Sequence, residues 1–144
     1  MRQFQRKERI RASIHRVWTI LADVERWPEW TASVTQIEEL SSGPLRLGSR
    51  VRIHQPKLRP AVWVITAWKP ENCFVWEAAG SGITVIGSHV LMACEEGCEV
   101  ILDLRFDGWL GGLAGLLKGR LAEFYVRCEA EGLKARSQSS CGDW

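Results

Sequence analysis

Few side chains in this 144-residue chain are of a type and spacing that does chemistry. His89 stands mid-strand in Ile86-Gly87-Ser88-His89-Val90-Leu91. With an ordinary pKa near ~6.5 it is the best general acid or base if it faces inward; if it faces outward it is a surface strand residue. Parity does not choose, because both faces of that strand mix polar and apolar residues. His54 shares parity with Arg50 and Arg52 and is expected in water, which turns Gln55 inward with Val51 and Ile53 as a hydrogen-bonding group. His15 is expected to be exposed, and Tyr125 to reach the edge of any pocket. Arg6 and Glu8 share parity with the apolar Phe4, Ile10 and Ala12. Either the start of that strand is a solvated sheet edge, or the two charges line the mouth of a wet cavity as a polar anchor, since a buried charge needs a partner.

Other chemistries are excluded or weakly supported. Asp103 and Asp107 share the wet face of one strand, but four residues put them ~13 Å apart, too far for a glycosidase pair. No nucleophile elbow, phosphate loop, dinucleotide fingerprint or HExxH pattern is present. Cys94 and Cys98 lack a second ligand pair nearby, so no metal is expected. The five cysteines, an odd number without a signal peptide, suit free thiols in a reducing compartment, and the cytosol is the expected location. The net charge is +2 and the pI about 8.4. The basic run Arg2 to Arg16 reads as a solvated strand face, so no nucleic-acid partner is expected. No apolar run approaches the ~20 residues of a membrane-spanning helix.

These residues need a scaffold. Residues 4–12 alternate as a strand with one wet face. Ser13 caps a short helix carrying Ile14, Val17, Trp18 and Leu21. Asp23 begins a second short helical turn, which Pro28 stops. Six strands follow, at 34–40, 48–55, 61–69, 73–79, 83–93 and 98–107, separated by short turn-rich segments that predict an antiparallel meander. Residues 109 to about 135 read as one long helix with a stripe of Leu110, Leu113, Leu117, Leu121, Phe124 and Cys128. The expectation is an α+β fold: a curved seven-stranded antiparallel sheet holding the last helix against its concave side, one domain over residues 1–136, and a loose tail over 137–144.

Two further features suggest a hollow. Gly111, Gly115 and Gly119 lie four apart on one helix face, with Gly112 beside them, and each costs about 1 kcal/mol relative to Ala. Their missing side chains leave volume for a ligand or let the helix start flex, or else they let backbone approach the sheet. Eight tryptophans suit a pocket lining and a core equally. Phe74 and Trp76 share an inward parity, Trp109 stands where the long helix begins, beside the expected pocket mouth, and Trp144 belongs to the tail.

This order of elements resembles the START-like, Bet v 1-like superfamily (SRPBCC), and most of all its bacterial polyketide cyclase/dehydrase and lipid-transport group. The matching stretches are Ile10-x-Ala12-Ser13, Val17-Trp18-x-x-Leu21-x-Asp23 and Trp27-Pro28-x-Trp30. Gly43-Pro44-Leu45 with Gly48-Ser49, Gln55-Pro56 with Pro60 and Trp63, and Tyr125-x-x-x-Glu129-x-Glu131-Gly132-Leu133-Lys134 complete them. The resemblance implies a helix-grip fold with a deep apolar pocket between sheet and helix, and a hydrophobic or amphipathic small-molecule partner such as a lipid, polyketide or aromatic metabolite. The superfamily holds carriers as well as enzymes, so turnover stays open, and no cofactor is implied. The expected lining is Phe74, Trp76, Leu102, Leu104, Trp109, Leu113, Leu117 and Leu121, with Arg6, Glu8, Gln55, His89 or Tyr125 orienting a polar end. The alternatives are a cyclase/dehydrase-type enzyme with His89 as the proton-moving residue, and a partner-binding module using an apolar patch from Trp109 to Leu117 with no internal cavity. The residues set no oligomeric state.

Overall fold

The computed structural model describes residues 2–139. Strand β1 (Arg2–Ile10) leads to helix α1 (Ile14–Ala22) and a 3₁₀ turn (Val24–Glu29). Strands β2 (Gln36–Glu39), β3 (Arg50–His54), β4 (Ala61–Lys69), β5 (Cys73–Gly80), β6 (Ile83–Cys94) and β7 (Gly97–Asp107) follow, and then the long helix α2 (Gly111–Gln138). The seven strands form one antiparallel sheet in the order β1-β7-β6-β5-β4-β3-β2. The expected α+β helix-grip architecture is therefore present. Cys141 and Trp144 lie outside the described residues. No helix among the described residues is long and apolar enough to cross a membrane.

Local chemistry explains the element ends. The Ser13 hydroxyl accepts the Arg16 backbone N–H at 3.1 Å and caps α1. Asp23 makes no side-chain cap bond, and its carboxylate pairs with Arg26 at 3.3 Å instead. Pro28 sits inside the 3₁₀ turn rather than ending it. The C-terminus of α2 is held by Arg16, whose guanidinium donates to the carbonyls of Ser137 (2.6 Å) and Ser139 (2.9 Å). A cation placed on the last carbonyls of a helix satisfies groups that have no partner within it.

The buried face of α2 differs from the expected stripe. Gly111, Gly115, Ala122, Tyr125, Val126, Ala130 and Leu133 turn inward, while Leu113, Leu117 and Phe124 face solvent. The reason is backbone approach. A Cβ on Gly115 would stand 2.3 Å from Cβ of Arg2, one on Gly111 2.8 Å from the Phe106 carbonyl oxygen, and one on Gly119 3.2 Å from the Phe4 ring. The glycines thus serve contact with β1 and β7, and the large leucines are left on the outer side. The helix is also interrupted at Lys118 (φ −113°, ψ 15°).

Gly132 makes the tightest of these approaches: a Cβ there would lie 1.9 Å from the Trp30 carbonyl oxygen. Ala in a helix normally gains up to about 1 kcal/mol over Gly. Gly132→Ala is expected instead to lower stability by about 2 kcal/mol, because backbone must move to admit the methyl group. Urea denaturation of the two proteins checks this, and a gain in stability would refute the contact.

Candidate functional site

The concave side of the sheet and helix α2 enclose a cavity of about 220 Å³, far more than the ~10–15 Å³ needed for one water. Strand register sets its floor. His89 on β6 lies between Phe74 on β5 and Leu102 on β7, so these three side chains stand abreast. One step along, Gly87 lies between Trp76 and Leu104. A Cβ on Gly87 would be 2.9 Å from Trp76 Nε1, so only glycine lets the indole lie across β6. The walls are apolar, including Trp27, Trp63 and Leu121.

The structure turns His89 inward, with its side chain 4% exposed. Its ring stacks on Phe74 (centroids 4.1 Å apart, planes 13° apart) and meets the edges of Trp27 and Trp76. Nδ1 lies 3.1 Å from the Phe74 carbonyl oxygen. A carbonyl only accepts, so Nδ1 carries the proton and Nε2 presents a lone pair. Nε2 stands 4.0 Å from Glu129 Oε1 on α2. That is too long for a hydrogen bond, yet one oxygen set about 2.8 Å from both would bridge them. Ser33 Oγ donates to the other oxygen of Glu129 at 3.3 Å and is itself 2.8 Å from Thr31 Oγ1.

Burial disfavours charge on both groups. It lowers the His89 pKa to about 4, against a smaller opposing effect of the Phe74 hydrogen bond, and raises that of Glu129 to about 8, against a smaller opposing effect of Ser33. At neutral pH the imidazole is neutral and the carboxyl protonated, so an acceptor nitrogen faces a carboxylic acid. Two further residues of the cavity wall, Trp63 and Gln55, carry polar groups. The Trp63 indole N–H is buried with no hydrogen-bond partner among the described residues, and the Gln55 amide nitrogen donates to the Ser33 carbonyl at 3.3 Å. Tyr125 spends its hydroxyl proton on the Pro56 carbonyl oxygen.

Of the residues picked from sequence, Gln55, Trp76, His89, Leu102, Leu104, Leu121 and Tyr125 line this cavity. Phe74 does not; it is fully buried behind His89. Arg6 and Glu8 face inward on β1 but meet the helix instead of the cavity. They pair with each other at 3.7 Å, Arg6 with Glu131 at 3.5 Å, and Lys134 with Glu8 at 3.2 Å. Trp109 (83% exposed) and Leu113 stand in solvent, because the glycine face of α2 takes the sheet side. Leu117 is also exposed and lines only an adjoining groove. The patch from Trp109 to Leu117 is thus exposed as a partner module would need, yet a cavity exists beside it. His54 is on the outer face, 3.0 Å from Glu38, and the exposed His15 lies 2.6 Å from Glu71. Glu129 was missed as a site residue, although it is four residues from Tyr125 on the same helix face, a carboxylate among Ala122, Val126 and Leu133. Among the described residues no group of three His, Cys, Asp or Glu side chains could hold a metal ion.

The two shifts have opposite consequences for stability. His89, lowered from 6.5, makes stability rise with pH from about 4 to 6.5, where the unfolded chain binds the extra proton. Glu129, raised from 4.5, makes stability fall from about 4.5 to 8, where the folded chain holds it. The two effects offset each other up to pH 6.5, and only the Glu129 loss continues above it. Between pH 6.5 and 8.5 the protein is expected to lose on the order of 1–2 kcal/mol, and Glu129→Gln to abolish most of that loss. Urea midpoints of both proteins at the two pH values check this.

Comparison with known proteins places this geometry. No curated protein sequence matches the chain. Among solved structures it is similar to TTHA0849 of Thermus thermophilus, at 21% identity and TM-score 0.74, covering 94% of this chain and 97% of that one. A START superfamily protein from Mycobacterium smegmatis matches at 13% identity and TM-score 0.71, covering 94% and 97%. The di-domain ARO/CYC StfQ of the steffimycin biosynthetic pathway matches at 12% identity and TM-score 0.73; the match spans 97% of this chain and 51% of StfQ. At these identities the likeness is one of fold. The family model for polyketide cyclase/dehydrase and lipid transport matches residues 1–138. With that match over nearly its whole length, the chain belongs to the polyketide cyclase/dehydrase and lipid transport family.

Proposed function

We propose that the protein binds a hydrophobic or amphipathic small molecule in the cavity between sheet and helix α2. The observation that carries this reading is a 220 Å³ hollow with largely apolar walls and two facing polar groups, His89 Nε2 and the Glu129 carboxyl. Apolar walls supply affinity and sparse polar atoms fix orientation. A hydroxyl or carbonyl oxygen of the ligand would take the position between His89 and Glu129, accepting from the acid or donating to the imidazole. Native mass spectrometry of freshly purified protein tests for a retained lipid or metabolite. Ala122 lines the cavity from the helix, so Ala122→Phe fills it. That variant is expected to weaken decanol binding at least tenfold, read by quenching of the cavity tryptophans, and full binding by a folded variant would refute the reading.

A second reading is an enzyme of the cyclase/dehydrase kind, favoured by the same pair. A protonated carboxyl and an unprotonated imidazole nitrogen 4.0 Å apart can give and take a proton at one substrate atom. The StfQ likeness is consistent with this and does not establish it. With a poly-β-ketone substrate, His89→Gln and Glu129→Gln are each expected to lower turnover roughly 100-fold or more while binding changes little. Turnover that survives both substitutions removes proton transfer by this pair.

A further inference from the structure

The rim of the cavity differs in charge from its interior. Arg59, on the β3–β4 loop, and Lys118, at the interruption of α2, are exposed and line the same cavity as His89 and Glu129. A groove continues outward from this opening, sharing Lys118, Leu121 and Tyr125 with the cavity wall, and adds Lys57 and Arg120. Some cations elsewhere (Arg6, Arg9, Arg26, Arg52, Lys134 and Arg136) stand within 4 Å of a carboxylate, while others, such as Lys7 and Arg50, have no such partner among the described residues. Among the described residues Lys57, Arg59, Lys118 and Arg120 have no such partner, and no carboxylate lines the groove.

We propose that this rim is an anion subsite, and that the ligand is an amphipathic acid whose carboxylate or phosphate lies between Arg59 and Lys118 while its apolar body fills the cavity. The inference rests on the binding reading above and adds to it the ligand's charge and direction. Direction follows from the cost of burying charge. Apart from Arg59 and Lys118 the cavity lining holds no lysine or arginine, and an anion elsewhere in it would meet neutral aromatic rings and the carboxyl-bearing Glu129 and Asp103. At the rim it keeps part of its water and gains two cations, one of them an arginine fork matched to carboxylate or phosphate oxygens. The bridging position at His89 and Glu129 then receives an uncharged polar atom, or none. Decanoate and decanol share one chain length and differ in the charged end, so they serve as paired probes.

The experiment measures both by tryptophan quenching for the natural protein, Arg59→Gln/Lys118→Gln and Arg59→Glu/Lys118→Glu. Decanoate is expected to bind more tightly than decanol to the natural protein, with an affinity that falls as salt rises, whereas decanol is insensitive to salt. The neutralised pair should lose roughly tenfold in decanoate affinity, and the reversed pair should come to prefer decylammonium. Unchanged decanol binding in both variants shows that the cavity remains folded. If decanol binds and decanoate shows no preference for the natural protein, the anion subsite is refuted and the cavity reading stands. If neither probe binds the natural protein, both are refuted. Phosphatidylglycerol and phosphatidylcholine vesicles form a separate arm. Loss of binding to the anionic vesicles in the neutralised pair, with decanoate binding intact, would assign the cations to a lipid surface and overturn the proposal.

Discussion

The structure depends on how closely the backbone of helix α2 approaches the sheet, and on where it does so. At Gly111 and Gly115 the helix lies against β7 and β1 at distances that leave no room for a side chain, and at Gly119 it lies tightly against the Phe4 ring. At Gly132 it lies against the Trp30 carbonyl. Pinned at these places, α2 runs along the β1 and β7 side of a curved sheet whose other strands bend past it. Between these attachments the buried residues of α2 include the small Ala122 and Val126, which line the cavity together with Trp63 on β4 and Trp76 on β5. The void is thus a consequence of attachment geometry. Protein interiors pack densely, and a space of this volume persists only where rigid elements are held apart.

The same geometry accounts for the unusual electrostatics of the site. A histidine and a glutamate sit in a largely apolar enclosure, each held by a hydrogen bond to a group that does not neutralise it: the Phe74 carbonyl for one, the Ser33 hydroxyl for the other. Burial then keeps both uncharged. Two neutral polar atoms separated by 4.0 Å leave a position that one further oxygen would bridge.

Much of the frame was legible from residue pattern. The strands at 61–69, 73–79, 83–93 and 98–107 agree with β4 to β7 within a residue or two, because turn-forming residues separate them and alternation marks β7 clearly. Gln55 shares parity with Val51 and Ile53 and lines the cavity. The long helix was expected in the right place with the wrong face inward. Periodicity weighs side chains, so it selected Leu113, Leu117 and Phe124; the fold selected glycines, whose contribution is the absence of a side chain. For Arg6 and Glu8 parity left a solvated sheet edge and a cavity mouth both open; they meet helix α2 instead, because their partners Glu131 and Lys134 lie more than a hundred residues away.

Alternation, turn residues and caps are local, and so the chain's own order of residues determined the elements, their meander and the apolar character of the concave face. Which side of β6 His89 occupies, that Glu129 stands opposite it, and that the two are set 4.0 Å apart were decided only by tertiary structure. Each depends on register across three strands and on the standoff of a helix contributed by the other end of the chain, and no neighbouring residues encode a distance of that kind.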